Sequence, residues 1–161
     1  MASFLLLVLR KKAKLVLVIF SHRFYISWLV SALLMYISFY VWHGLFLTDL
    51  SQIKFSKSLF LILVALVYLF ISFVLYRVYE LKWFDKYFSS SLLRGVTAGF
   101  MVGFVLFAIV AVLGISFTKH VNTTYLLADC LWQIAEQVIG GVIIGFGKIF
   151  IFEPQRELIH D

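Results

Sequence analysis

Four long stretches of the chain are almost wholly apolar, at roughly residues 24–47, 58–79, 96–117 and 125–152. Each is rich in Val, Ile, Leu and Phe, and a helix needs about 20 mainly apolar residues to cross the hydrocarbon layer. None contains an internal proline. Pro154, the lone proline of the chain, falls just past the fourth stretch, where it ends a helix without breaking it. The pattern predicts an all-α integral membrane protein, a four-transmembrane-helix bundle forming one membrane domain over residues 1–161.

Residues 1–23 follow a different pattern. Phe4–Leu9 and Leu15–Phe20 are apolar, but Arg10, Lys11, Lys12 and Lys14 stand between them. Four charges at the centre of a span cost several kcal/mol, roughly 3 each on insertion scales. A basic interfacial segment, its lysines among anionic headgroups, fits better than a fifth span. A cleaved signal peptide is not expected, because those charges follow the first apolar run instead of preceding it. Residues 153–161 form a short polar tail.

Composition agrees with the pattern. Hydrophobic residues make up 63% of the 161 residues and charged residues only 14%, with a mean hydropathy of +1.04. A water-soluble domain is about half apolar and about a quarter charged. The net charge of +6 raises nucleic acid as a partner, but the basic residues sit between apolar runs and form no solvated face. They divide unevenly between the two sides of the predicted bundle. Arg10, Lys11, Lys12, Lys14, Arg23, Arg77, Lys82, Lys86, Arg94, Lys148 and Arg156 fall on one side, and only Lys54, Lys57 and Lys119 on the other. The positive-inside rule then predicts that both termini are cytoplasmic. The expected home is a bacterial inner (plasma) membrane, and the lipid bilayer is the first partner.

Aromatic residues refine this picture. Trp28, Trp42, Trp83, Trp132, Tyr25, Tyr79 and Tyr125 mostly fall near predicted span ends, where indole and phenol rings favour the headgroup region. The segment 82–91 mixes aromatics with lysines and is expected to lie along the inner surface.

Two patterns within the spans point beyond simple insertion. Gly95, Gly99 and Gly103 recur every four residues, so one face of the third helix lacks side-chain bulk and lets another helix approach closely. Gly140 and Gly141 do the same on the fourth helix. Packing within the bundle explains such a face, and so does an oligomer or a partner subunit. The second pattern is a polar stripe: at 100° per residue Asp129, Gln133, Glu136, Gln137, Gly140 and Gly147 fall within about a third of the fourth helix's circumference. Glu136 lies roughly 10–15 Å deeper than Asp129 at 1.5 Å per residue, near mid-membrane. An ionisable group at that depth marks an ion or substrate pathway by default, and the alternative is a hydrogen-bonded glutamate that fixes packing through Gln133 and Gln137. Tyr36, Tyr40 and His43 on the first helix, with Tyr68, Ser72, Tyr76 and Tyr79 on the second, are expected to complete a polar seam.

Chemistry beyond this finds little support. His43, Asp49, His120 and Asp129 fall toward the same side, but no paired-ligand spacing accompanies them, so neither a metal nor a cofactor is expected. Cys130 is the lone cysteine and reads as an apolar packing residue. Gly145-Phe146-Gly147-Lys148 resembles the end of a phosphate loop, but Val142 and Ile149 occupy two of its required positions. Asn122-Thr123-Thr124 is a formal glycosylation sequon. No nucleophile or metalloprotease motif is present, which leaves an enzyme unsupported. With almost no extramembrane domain, a glycine face and a polar stripe, the chain reads first as an accessory or scaffold subunit associating with other membrane subunits or with itself. The alternative is a small transporter or ion-conducting protein that uses Glu136.

Overall fold

The computed structural model describes residues 22–46, 50, 56–117 and 123–151. These form helices α1 (His22–Phe39, continuing as a π-helix over Tyr40–Phe46), α2 (Lys57–Tyr79), α3 (Lys82–Tyr87), α4 (Ser91–Phe117) and α5 (Thr123–Phe150). Four are long and apolar enough to cross a membrane: His22–Phe46, Lys57–Tyr79, Ser91–Leu113 and Leu126–Phe150. The predicted interfacial segment falls almost wholly outside the described residues; its last two positions, His22 and Arg23, belong to α1. Asp49, Lys54, Lys119, His120, Asn122 and the tail also lie outside them.

The bundle exposes large apolar side chains and buries several polar ones beside its apolar core. Leu33, Leu66, Phe70, Val110, Val112 and Leu131 are each more than half exposed, while Ser27, Ser31, Ser72, Arg94, Glu136 and Gln137 are buried. Apolar side chains facing outward suit a hydrocarbon solvent, and polar groups then turn inward to find partners.

Neighbouring helices run antiparallel, and α4 with α5 makes the most extensive pairing. Its cause is legible residue by residue. A Cβ built on Gly95 would strike the backbone carbonyl of Gly141, and one on Gly99 would lie 2.6 Å from Val138 Cα. On Gly103 it would lie 2.8 Å from Ile134 Cα, and on Gly145 2.8 Å from the Ser91 carbonyl. Four successive turns of each helix thus meet backbone to backbone. The Ser91 hydroxyl adds a hydrogen bond to Gly145 O at 3.2 Å.

α1 packs on α5 and α2 through small and hydroxylated residues. Ser31 Oγ donates to Gly140 O at 3.1 Å, Ser72 Oγ to Trp28 O at 2.9 Å, and Trp28 Nε1 to Leu69 O at 2.8 Å. Gly140 leaves room for Met35, Ser31 and Leu75, and Gly147 for Ser27. Aromatic edges fill the α1–α2 seam, led by Phe24 against Tyr76 at 4.8 Å between ring centroids.

The described chain enters and leaves the bundle at one end, where Arg23 Nε donates to Ile151 O at 3.1 Å. This end is basic. α4 begins at Ser91, five residues before the apolar run at 96, because Arg94 is accommodated inside the fold. Its Nε donates to Tyr79 O at 2.7 Å and its guanidinium lies 4.7 Å over the Tyr79 ring. Lys148 and Glu80 approach to 3.9 Å. The short helix α3 crosses this end with Phe84 fully buried as its anchor and Trp83 and Tyr87 exposed.

Candidate functional site

The polar stripe of α5 divides in the structure. Glu136 (2% exposed) and Gln137 (0%) turn into the bundle, Gln133 is half-buried and Asp129 is exposed. Counting 1.5 Å per residue, Glu136 lies roughly 15 Å from the Leu126 end of the span and roughly 21 Å from the Phe150 end. Its burial is therefore in the middle of the apolar slab.

One partner reaches Glu136. Tyr68, 6% exposed on α2, donates its hydroxyl to Glu136 Oε2 at 2.8 Å. Tyr68 is itself held by aromatic contacts with Tyr36 at 6.4 Å and Phe39 at 5.8 Å. The inward face predicted for α2 forms: Tyr68, Ser72, Tyr76 and Tyr79 are all buried.

The rest of the site is less well paired. Glu136 Oε1 and both polar atoms of the Gln137 amide are buried with no hydrogen-bond partner among the described residues. Burying such groups unpaired costs about 1–3 kcal/mol each, so native folds rarely carry several side by side. Gln137 is fixed by its main chain: its Cβ and carbonyl pack into the space left by Gly103 and Gly99. The glycine contact thus carries a polar side chain into the interior at adjacent positions on α5.

α1 contributes differently from the sequence pattern. Tyr36 is half-buried against Tyr68, but Tyr40 is 45% exposed and lies off the seam. A four-residue step advances about 40° around an α-helix, which carries Tyr40 past the edge of the inward face. A π-helix begins at Tyr40, and its wider turns change the helical phase of the residues that follow. Trp42 and His43 are half-buried, and His43 stacks near Phe39 at 4.8 Å. Trp42 lies against Trp132 of α5, centroids 4.3 Å apart and planes 10° apart. Both indole N–H groups are buried with no partner among the described residues.

The aromatic-belt reasoning pointed Trp42 and Trp132 toward headgroups and missed this pair. So did the four-residue periodicity, because a π segment has no distinctive composition. Ser27 and Ser31 were missed as well, although two serines four residues apart opposite Gly147 and Gly140 were a usable signal. Cys130 is half-buried and free. Among the described residues no group of three or more His, Cys, Asp and Glu side chains is placed to hold a metal.

Among the described residues the site is thus a single carboxylate at mid-membrane, tied on one oxygen by a phenol, with unpaired polar atoms beside it and a tryptophan pair one turn away. Compared with protein-family models, curated proteins and solved structures, the chain matches none of them.

Proposed function

We propose that this small polytopic membrane protein is a transporter or proton-conducting protein in which Glu136 binds the translocated or coupling proton. The observation that carries the reading is Glu136 itself: a carboxyl group 2% exposed at mid-membrane with one oxygen bound by Tyr68 and the other without a partner among the described residues. A glutamate serving packing alone would be expected to use both oxygens, because half-satisfied polar groups destabilise an interior. A group that must take up and release a proton needs one side left unengaged. Tyr68 keeps the carboxyl oriented while its second oxygen exchanges.

The accessory-subunit reading relied on two surfaces suited to a partner, the glycine face and the polar stripe. The glycine face is turned inward, its glycines meeting α5 backbone, and of the polar stripe Glu136 and Gln137 are buried while Asp129 stays exposed. That weighs toward transport. The basic residues around Arg77, Lys82, Lys86, Arg94 and Lys148 support a cytoplasmic location for the α3 end.

Reconstitution of the purified full chain in liposomes tests the reading. With a pH-sensitive dye inside and an imposed pH gradient, wild-type protein is expected to carry protons and Glu136→Gln to carry none, while both fold alike. Equal flux from the two proteins removes Glu136 from the mechanism. Stoichiometric co-purification of another membrane protein, with no flux from the chain alone, returns the subunit reading.

A further inference from the structure

Trp132 precedes Glu136 by four residues on α5. Residues so spaced stand one above the other on the same face, and helical side chains lean toward the N-terminus, so the Glu136 side chain leans toward the turn that carries Trp132. Trp42, half-buried on the π-helix, lies flat on Trp132. Asp129, exposed, and His43, half-buried, belong to the same end of the bundle, beyond the pair. We propose that the Trp42–Trp132 stack is the gate between Glu136 and that end of the bundle, and that the π-helix is the element that moves to open it.

Three features support this beyond position. Two stacked indoles form a flat, apolar barrier at the point where the polar stripe would otherwise run from Gln133 and Asp129 to Glu136. Each indole nevertheless carries a buried N–H with no partner among the described residues, and an aromatic wall serving packing alone would satisfy these donors. Finally, the barrier rests on a π segment of seven residues, Tyr40–Phe46. Such segments are uncommon and recur at functional sites, because a return to α geometry rotates every later residue without unfolding the helix. That rotation would withdraw Trp42 from Trp132 while leaving the α1 contacts through Ser31 and Trp28 in place.

The inference rests on the proposed role of Glu136, and its test separates the two. A water-soluble carbodiimide modifies a carboxyl group only where it can reach it. In the reconstituted full chain, the rate of modification at Glu136 is read by tandem mass spectrometry, with Asp129 on the same peptide as the exposed reference. Wild-type Glu136 is expected to react slowly. Trp132→Ala and, independently on the other helix, Trp42→Ala are expected to react about tenfold faster or more, as for a removed lid. Trp132→Phe keeps a ring in the stack and is expected to stay near the wild-type rate. Equal rates at Glu136 in wild type and both alanine variants would overturn the gate, as would acceleration matched at Asp129. Proton flux of wild type against Glu136→Gln judges the transport reading by itself. A Glu136-dependent flux with no effect of either tryptophan leaves transport standing and removes the gate.

Discussion

The two sides of α5 solve the same problem in opposite ways. Toward α4 it presents Gly141, Gly145 and the backbone of Gln137 and Ile134, and α4 answers with Gly95, Gly99, Gly103 and Ser91. That contact is made mostly of main chain, with the Ser91 hydroxyl reaching across to Gly145 O. Toward α1 and α2 it presents Glu136, Gly140 and Gly147, and the contact is made of side-chain hydroxyls, a carboxyl group and aromatic rings. In lipid no hydrophobic force drives helices together, so close packing and polar bonds must do so. One face uses mainly the first, with the single hydroxyl bond from Ser91 added. The other uses the second and leaves polar atoms over. That surplus is the feature on which the proposed role of Glu136 rests.

Breaking the backbone-to-backbone face is expected to have the largest effect. Gly99→Leu forces a branched side chain into the α5 backbone and is expected to cost roughly 3 kcal/mol or more, as severe overpacking does. Val110→Leu, on the exposed side of the same helix, is expected to be nearly neutral. Thermal aggregation in detergent compares them, and equal midpoints would mean that α4 is not held through its glycines. Next comes Glu136→Leu, which leaves the Tyr68 hydroxyl buried without an acceptor, at a cost of about 1–3 kcal/mol. In the same assay Glu136→Gln is expected to hold near wild type, since an amide oxygen still accepts from Tyr68. Gln137 sharpens the contrast with a change of opposite sign. Gln137→Met retains shape and removes two unpaired polar atoms, so it is expected to raise stability by about 1 kcal/mol while lowering flux. A clear loss of stability would show that the amide is satisfied within the fold. The smallest effect is expected from Ser31→Ala, which deletes one interhelical bond to Gly140 O, worth about 0.6 kcal/mol in a membrane protein.

The spans were legible in the sequence because lipid imposes one requirement on every turn: apolar runs of 23 or 25 residues in the structure correspond to runs visible by eye. The glycine spacing was also legible, since a four-residue repeat leaves few choices of face. Its partner was not, because three glycines say how near a helix can come and not which helix comes. Glu136 was marked by its depth and type alone. Tyr68 stood in the predicted inward row, but choosing it from four candidates required the vertical offset between α2 and α5, which periodicity does not encode. Tyr40 failed for a different reason. A four-residue step from Tyr36 advances about 40° around an α-helix, which is enough to carry a residue from the edge of the inward face to the outside, where Tyr40 is 45% exposed.

The glycine contact between α4 and α5 also bears on the order in which the molecule is made. The two helices are neighbours in sequence, joined by only residues 118–122, so pairing them closes a short loop at small entropic cost. α1 reaches α5 only after about a hundred intervening residues have been synthesised, Ser31 and Gly140 being 109 apart. During synthesis α1 and α2 can therefore pair with each other first, and both stay without their α5 contacts until the last span arrives. The α4–α5 hairpin can form at once and serve as the template on which α1 and α2 dock. The polar seam, with Glu136 in it, is then the last part of the protein to be sealed from its surroundings.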